Sequence, residues 1–188
     1  MKKIFLLAVI SLSFGSLLAQ SSTYWQQQVD YKMDVVMNVK NYQYKGKQEL
    51  VYTNNSPDTL RRVFYHLYNN AFQPGSEMDA RLQNIKDPDA RMVNKAKESR
   101  IKTLKPDEIG YLKISNFKQD GVIANAKTVG TILEVTLAKP ILPNTKTTFT
   151  LDFDGQVPVQ IRRSGRNNAE GIELSMAQWY PKMAEFDF

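Results

Sequence analysis

Val29-Asp30-Tyr31-Lys32-Met33-Asp34-Val35-Val36-Met37-Asn38-Val39 is the stretch on which the fold turns. Val29, Tyr31, Met33, Val35, Met37 and Val39 fall on one side of an extended chain. Asp30, Lys32, Asp34 and Asn38 fall on the other, with Val36 the exception. Side chains of a strand alternate between its faces, so this spacing predicts a half-buried antiparallel strand.

Outward from it, Asn41 to Gly46 reads as a turn and Gln48 to Thr53 as the returning partner. Asn54-Asn55-Ser56-Pro57-Asp58 is a second turn, rich in residues that bond their own backbone or fix φ. Leu60 to Tyr68 is a third strand, and Leu50, Tyr52, Val63, Tyr65 and Leu67 are candidate core. Beyond Pro74 the composition becomes charged. Met78, Leu82 and Ile85, then Met92, Val93 and Ala96, recur at helical spacing on either side of Asp87-Pro88. Two short helices are expected in an insertion over about 76–103, with Asp87-Pro88-Asp89 capping the second, and a mobile loop is the alternative because the apolar content is thin. Strands resume at Tyr111–Phe117, Thr131–Leu137, Thr147–Phe153 and Gly171–Trp179, with a turn at Pro140–Asn144. Many short strands with little helix predict an all-β fold, an antiparallel β-sandwich or saddle-shaped sheet with a short helical insertion.

The chain begins with Lys2 and Lys3, then an apolar run from Ile4 to Ala19. That order predicts a secretory signal peptide over residues 1–19, with export to the periplasm or the extracellular space and no lasting membrane insertion. The run is interrupted by Ser and Gly, and no stop-transfer segment follows it. No Cys lies near the junction, which excludes a lipid-anchored lipoprotein. Residues 20–188 suit one domain. Cysteine is absent altogether, so stability must come from burial rather than disulfides. The net charge is +6, of which Lys2 and Lys3 supply two. The basic residues are scattered, which argues against nucleic acid as a partner. Their densest group is Arg162, Arg163 and Arg166, for which a solvated turn is the plainer reading.

Most catalytic chemistry is missing. The single histidine, His66, sits inside a strand and reads as structural. One His with no Cys cannot supply a His-rich zinc site, so no catalytic or metal-ligating residue is assigned and no cofactor is expected in this chain. Asp152 and Asp154 share a strand face and are within reach of a common hard cation, but no third ligand stands near them in sequence.

Three segments carry a resemblance: Tyr65-His66-Leu67-Tyr68-Asn69-Asn70-Ala71-Phe72, Gln156-Val157-Pro158 with the arginine-rich turn after it, and Ser175-Met176-Ala177-Gln178-Trp179-Tyr180-Pro181-Lys182. In this order they resemble the N-terminal β-domain of bacterial aminopeptidase N-like zinc metallopeptidases, over essentially all of residues 20–188. The resemblance implies a β-saddle domain that precedes a thermolysin-like catalytic domain. In such a parent the zinc and its His-Glu-x-x-His motif lie beyond this chain, and peptide substrate is met through that further domain. It also implies that Gln178 and the residue two places on, here Tyr180, contribute to substrate binding. The family carries a glutamate where Tyr180 stands, and a phenol supplies no negative charge at neutral pH. Phe188 closes an aromatic run with Trp179, Tyr180 and Phe186, which suggests the front piece of a longer protein. A reading from another class is a free-standing exported β-sandwich that binds peptide or glycan through Tyr24, Trp25, Tyr42 and Tyr44 without catalysis.

Overall fold

The computed structural model describes residues 24–85, 89, 91–162 and 164–187. The signal-peptide reading of residues 1–19, and Asp87, Pro88, Arg163 and Phe188, lie outside the described residues. The fold is all-β, with every ladder between named strands antiparallel.

The strand read first from the sequence is β1, Gln28–Asn38; its Val29, Tyr31, Met33 and Met37 are half-buried as the alternation requires, but Val35 and, past the strand's end, Val39 are exposed. It pairs along its whole length with β2, Gln43–Asn54. β3 is Leu60–His66, β4 Tyr111–Gln119, β5 Val122–Ile123, β6 Asn125–Val129, β7 Ile132–Ile141 and β8 Thr145–Gln156. Three two-residue strands complete the set: β9 Gly165–Arg166, β10 Leu174–Ser175 and β11 Lys182–Met183. The first sheet runs β1-β2-β8-β4-β5, the second β11-β3-β7-β6, and β9 with β10 forms a small ribbon.

The two sheets share one core. Leu50 and Tyr52 of β2 and Phe149, Leu151 and Phe153 of β8 belong to the same buried cluster as Val63 and Tyr65 of β3 and Leu133 and Val135 of β7. Tyr65 bridges the sheets, edge-on to Phe117 of β4 at 5.7 Å and to Phe149 of β8 at 6.4 Å. All five core residues expected from the sequence, Leu50, Tyr52, Val63, Tyr65 and Leu67, are buried.

Gly46 corrects the first expected turn. The turn occupies 39–42, where Tyr42 takes φ 59° and the Asn38 side chain accepts from the Lys40 N–H. Gly46 lies within β2, opposite Phe153, and Tyr44 lies opposite Gly155. A methyl group at either glycine would strike the facing aromatic ring. Each glycine is there so that a ring can lie over its backbone, the pairing by which aromatic residues offset a glycine in a strand.

The insertion also departs from expectation. The first helix forms as α1, Glu77–Asn84, with Ser76 as its N-cap: the Ser76 Oγ accepts from the Asp79 N–H at 3.1 Å. Among the described residues the second helix does not form. Asn94 instead closes a tight turn, its carbonyl accepting from the Lys97 N–H and its side chain from the Glu98 N–H, with Lys97 at φ 64°. A 3-10 turn follows at Ile101–Thr103. Leu82, Met92, Ile101 and Ile161 make a second, smaller core beneath these turns. Asp79, itself buried, accepts from the Gly75 N–H and the Ser99 hydroxyl and so ties α1 to the loop.

Two more strand expectations need correction. β7 continues through Pro140 to Ile141, beyond the turn expected at Pro140. Of Gly171–Trp179, only Leu174 and Ser175 form a strand. The chain after them satisfies its backbone through side chains of the first sheet. The Trp179 carbonyl accepts from the Tyr44 hydroxyl at 2.5 Å, and the Pro181 carbonyl from the Gln48 amide at 2.9 Å. The Met183 N–H donates to the Tyr31 hydroxyl at 2.8 Å. This strap along β1 and β2 then joins the second sheet, with Lys182 opposite His66.

Candidate functional site

A pocket of about 370 Å³ opens where four parts of the chain meet. Tyr68, Asn69, Ala71 and Phe72 come from the 3-10 turn after β3, and Met78 from α1. Arg162 and Ser164 come from the turn after β8, and Ala177 and Gln178 from the strap. The three sequence segments that carry the family resemblance therefore all reach this one pocket.

A buried amide sets their positions. Asn69 donates to the Tyr44 hydroxyl at 3.1 Å and to the Gln156 carbonyl at 3.4 Å. The Tyr44 hydroxyl passes the chain on to the Trp179 carbonyl. Gln156 donates to the carbonyls of Pro106 and Ile109 at 2.9 and 2.8 Å. Burial pushes the Tyr44 phenol far above its ordinary pKa, against the Asn69 hydrogen bond, which opposes the rise, so the phenol stays neutral and both accepts and donates. Among the described residues the Asn69 Oδ1 is buried without a hydrogen-bond partner. An unmatched acceptor of this kind costs about 1–3 kcal/mol.

The arginine-rich turn divides. Arg162, at φ 74°, lines the pocket. Ser164 donates to the Ser175 carbonyl at 3.2 Å and so ties this turn to the segment before the strap. The Arg166 guanidinium lies over the Tyr42 ring, 4.3 Å from its centroid, and donates to the Asp107 carbonyl. Among the described residues no carboxylate lines the pocket, and Arg162 is the charged side chain in its lining.

Gln178 is exposed at the pocket wall with its backbone at φ 57°. Tyr180 is half-buried and does not line the pocket. It stands edge-on to Tyr31, 5.5 Å between ring centroids at 76°, and edge-on to Trp179 at 5.4 Å. Burial is the main cause that pushes Tyr31 up to about 12. The Met183 N–H opposes it, and the Tyr180 and Tyr68 phenols add a little. His66 stacks on Tyr68 at 5.0 Å, and burial followed by the Lys182 charge lowers its pKa.

Tyr68, Asn69 and Met78 were not singled out as site residues from the sequence. The one available signal was the Asn69-Asn70 doublet directly after an aromatic strand, where amides satisfy the backbone of a chain leaving a sheet. Asn70 does this as well, accepting from the Leu112 N–H and donating to the Gly130 carbonyl.

Asp152 and Asp154 lie on the outer face of β8, each with another partner. Asp154 pairs with Lys45 at 3.3 Å, and Asp152 accepts from Asn116 at 2.7 Å. No group of three or more His, Cys, Asp or Glu side chains converges among the described residues, so the donor set does not fit a zinc ion. Of the four aromatic residues in the binding-module reading, one is buried and two pack against neighbours. Tyr44 is buried, Tyr42 lies beneath Arg166, and Trp25 stacks on Phe186 at 5.5 Å. Tyr24 remains exposed. Trp179 of the C-terminal aromatic run also packs within this chain, 5.7 Å from Tyr44 and 6.3 Å from Phe153.

No protein-family model matches the chain, and no curated protein matches it either. Among solved structures, the chain is similar to an M1 zinc metallopeptidase from Deinococcus radiodurans, at 15% identity and a TM-score of 0.45 over 78% of this chain and 25% of that one. It is also similar to a substituted two-domain M1 zinc metallopeptidase bound to L-arginine, at 15% identity and a TM-score of 0.47 over 81% of this chain and 27% of that one. The chain spans about a quarter of the length of the structures it matches. Among the described residues, no helix is long and apolar enough to cross a membrane.

Proposed function

We propose that this chain is the non-catalytic N-terminal β-domain of an exported zinc metallopeptidase of the aminopeptidase N type. Its pocket between Tyr68, Arg162 and Gln178 forms one wall of the peptide cleft. The observation that carries this reading is the convergence of the three resemblance segments, far apart in sequence, on a single pocket. An evolved contact surface accounts for that convergence better than core packing does, because Arg162 and Gln178 are exposed there rather than buried.

In this reading the zinc and the proton-transferring residues belong to the further domain. The residues here bind and orient. Gln178 offers an amide donor and acceptor to the peptide backbone, and Arg162 a cation. Among the described residues the pocket presents no carboxylate to a free α-amine. Tyr180, where the family has its glutamate, leans on Tyr31 instead. Peptides without a charged N-terminus are therefore accepted on equal terms at this wall.

The test is hydrolysis of peptidyl- and aminoacyl-anilides by the product of the complete reading frame and by residues 1–188 alone. Chelator-sensitive turnover is expected from the complete protein and none from the shorter chain. A reading frame without a His-Glu-x-x-His beyond residue 188, or a complete protein with no peptidase activity, contradicts the proposal.

A further inference from the structure

β1 closes one side of the first sheet, with β2 on its inner side and no strand on its outer side among the described residues. No backbone hydrogen bond from elsewhere among the described residues reaches Gln28–Asn38. At eleven residues with no proline, this edge is long and regular. Such an edge is a template for another strand unless charge or shape blocks it. The opposite edge, β5, is only two residues long.

The side chains of β1 select what pairs with it. We propose that β1 pairs antiparallel with the β1 of a second copy of this chain, with Met33 opposite its own counterpart. Met33 is the middle residue of the eleven, so this register uses the whole strand, from Gln28 opposite Asn38 of the other copy to Asn38 opposite its Gln28. On the exposed face Lys32 then meets Asp34 of the second copy, and Asp34 meets its Lys32. On the half-buried face Val29 meets Met37 and Tyr31 meets Val35, an unbroken apolar row.

The neighbouring registers that keep the same faces together are poorer. Sliding by one step toward the N-terminus sets Lys32 against Lys32 and Asp30 against Asp34. Sliding one step toward the C-terminus sets Asp34 against Asp34. Like charges directly opposite each other destabilise a sheet. A further slide toward the N-terminus restores Asp30 to Lys32 but leaves only seven of the eleven residues paired.

The rest of the sheet extends the match. Within one chain Lys32 lies opposite Glu49, Asp34 opposite Lys47, and Lys47 opposite Asp152. In the proposed pair these form one row across the joined sheets: Asp152, Lys47 and Asp34 of one copy, then Lys32 and Glu49 of the other. The charges alternate in sign at every step, and the two-fold axis generates the same row in reverse. This inference is independent of the peptidase reading.

The chain has no cysteine, so single thiols report the register cleanly. Paired antiparallel Cα atoms stand about 4.5–5.5 Å apart, within disulfide reach. Met33→Cys in the full chain should therefore form a covalent dimer on mild oxidation. Val35→Cys should not, because the two copies of that position are then about 13 Å or more apart along the strands. Sedimentation velocity of the unmodified chain should show a concentration-dependent dimer. Asp34→Asn, at an exposed position, should weaken that dimer about 2- to 30-fold through its two equivalent pairs. A chain that stays monomeric as concentration rises, equal crosslinking of both cysteine variants, or a dimer unaffected by Asp34→Asn overturns the proposal.

Discussion

The Tyr44 hydroxyl donates to the Trp179 carbonyl at 2.5 Å while accepting from Asn69 at 3.1 Å. One phenol thus joins the turn after β3 to the strap that carries Gln178. The Tyr44 ring lies over Gly155, so the hydroxyl is held by packing as well as by hydrogen bonds.

Tyr44→Phe keeps the ring and removes the hydroxyl. It leaves the Trp179 carbonyl and one Asn69 donor short of a partner, at about 1–3 kcal/mol. For a chain of this size each kcal/mol lowers Tm by about 2–4 °C. Thermal denaturation should show a drop of that order. An unchanged Tm means the hydroxyl does not hold the strap.

His66 sets one limit on acid stability. Burial, then the Lys182 charge, lowers its folded pKa below the ordinary 6.5, so the unfolded chain takes up a proton first. Its contribution is fully present above pH 6.5 and is lost as pH falls toward the folded pKa. Replacing it by His66→Phe, which preserves the stack on Tyr68, should flatten the stability profile just below pH 6.5. Parallel profiles for the two proteins through that window would contradict this.

Asp79 sets a second, lower limit. Burial alone would raise its pKa, but the Gly75 N–H, the Ser99 hydroxyl, Gln83 and the Lys102 charge together bring it below 3.8. The stabilisation is present above pH 3.8 and disappears as pH falls through the folded pKa. Asp79→Asn should be less stable than the unmodified chain at neutral pH, and the two should converge under strong acid. Urea titrations at pH 7 and in acid measure the difference directly.

Tyr180→Glu tests where that side chain belongs. The ring stands edge-on to both Tyr31 and Trp179, and each such pair is worth about 0.5–1.5 kcal/mol. The substitution should lower Tm and leave unchanged the ratio of rates for free and N-acetylated peptides in the complete protein. A raised preference for free amines with Tm intact would place Tyr180 in the cleft.

The strands whose own side chains alternate were legible in the sequence. β1 and the core positions of β2 and β3 follow from apolar periodicity alone. Gly46 misled because a glycine marks either a turn or a close approach, and the Phe153 ring that requires it belongs to a distant strand. The Asn94 turn replaced a helix because an asparagine that satisfies its own loop offers an alternative to helical bonding. The strap was read as a strand because its apolar content suits one. Its hydrogen-bond partners are the side chains of Tyr31, Tyr44 and Gln48, which no local pattern announces. Gln178 was named through the family resemblance alone, whereas Asn69, which anchors the pocket, sits in the same kind of contact that no local pattern announces. β5 and β6 escaped notice because their mostly exposed residues give little contrast between faces.

The most direct measurement is kcat/KM for peptide hydrolysis by the complete protein and its Gln178→Ala variant, with Tm recorded on both. If the pocket is a wall of the peptide cleft, the variant loses one orienting hydrogen bond, about 0.5–1.5 kcal/mol or a factor of about 2 to 13 in kcat/KM, while Tm stays within about 1 °C because Gln178 is exposed. Unchanged kcat/KM with an intact fold would remove Gln178 and its pocket from the substrate path and contradict the account.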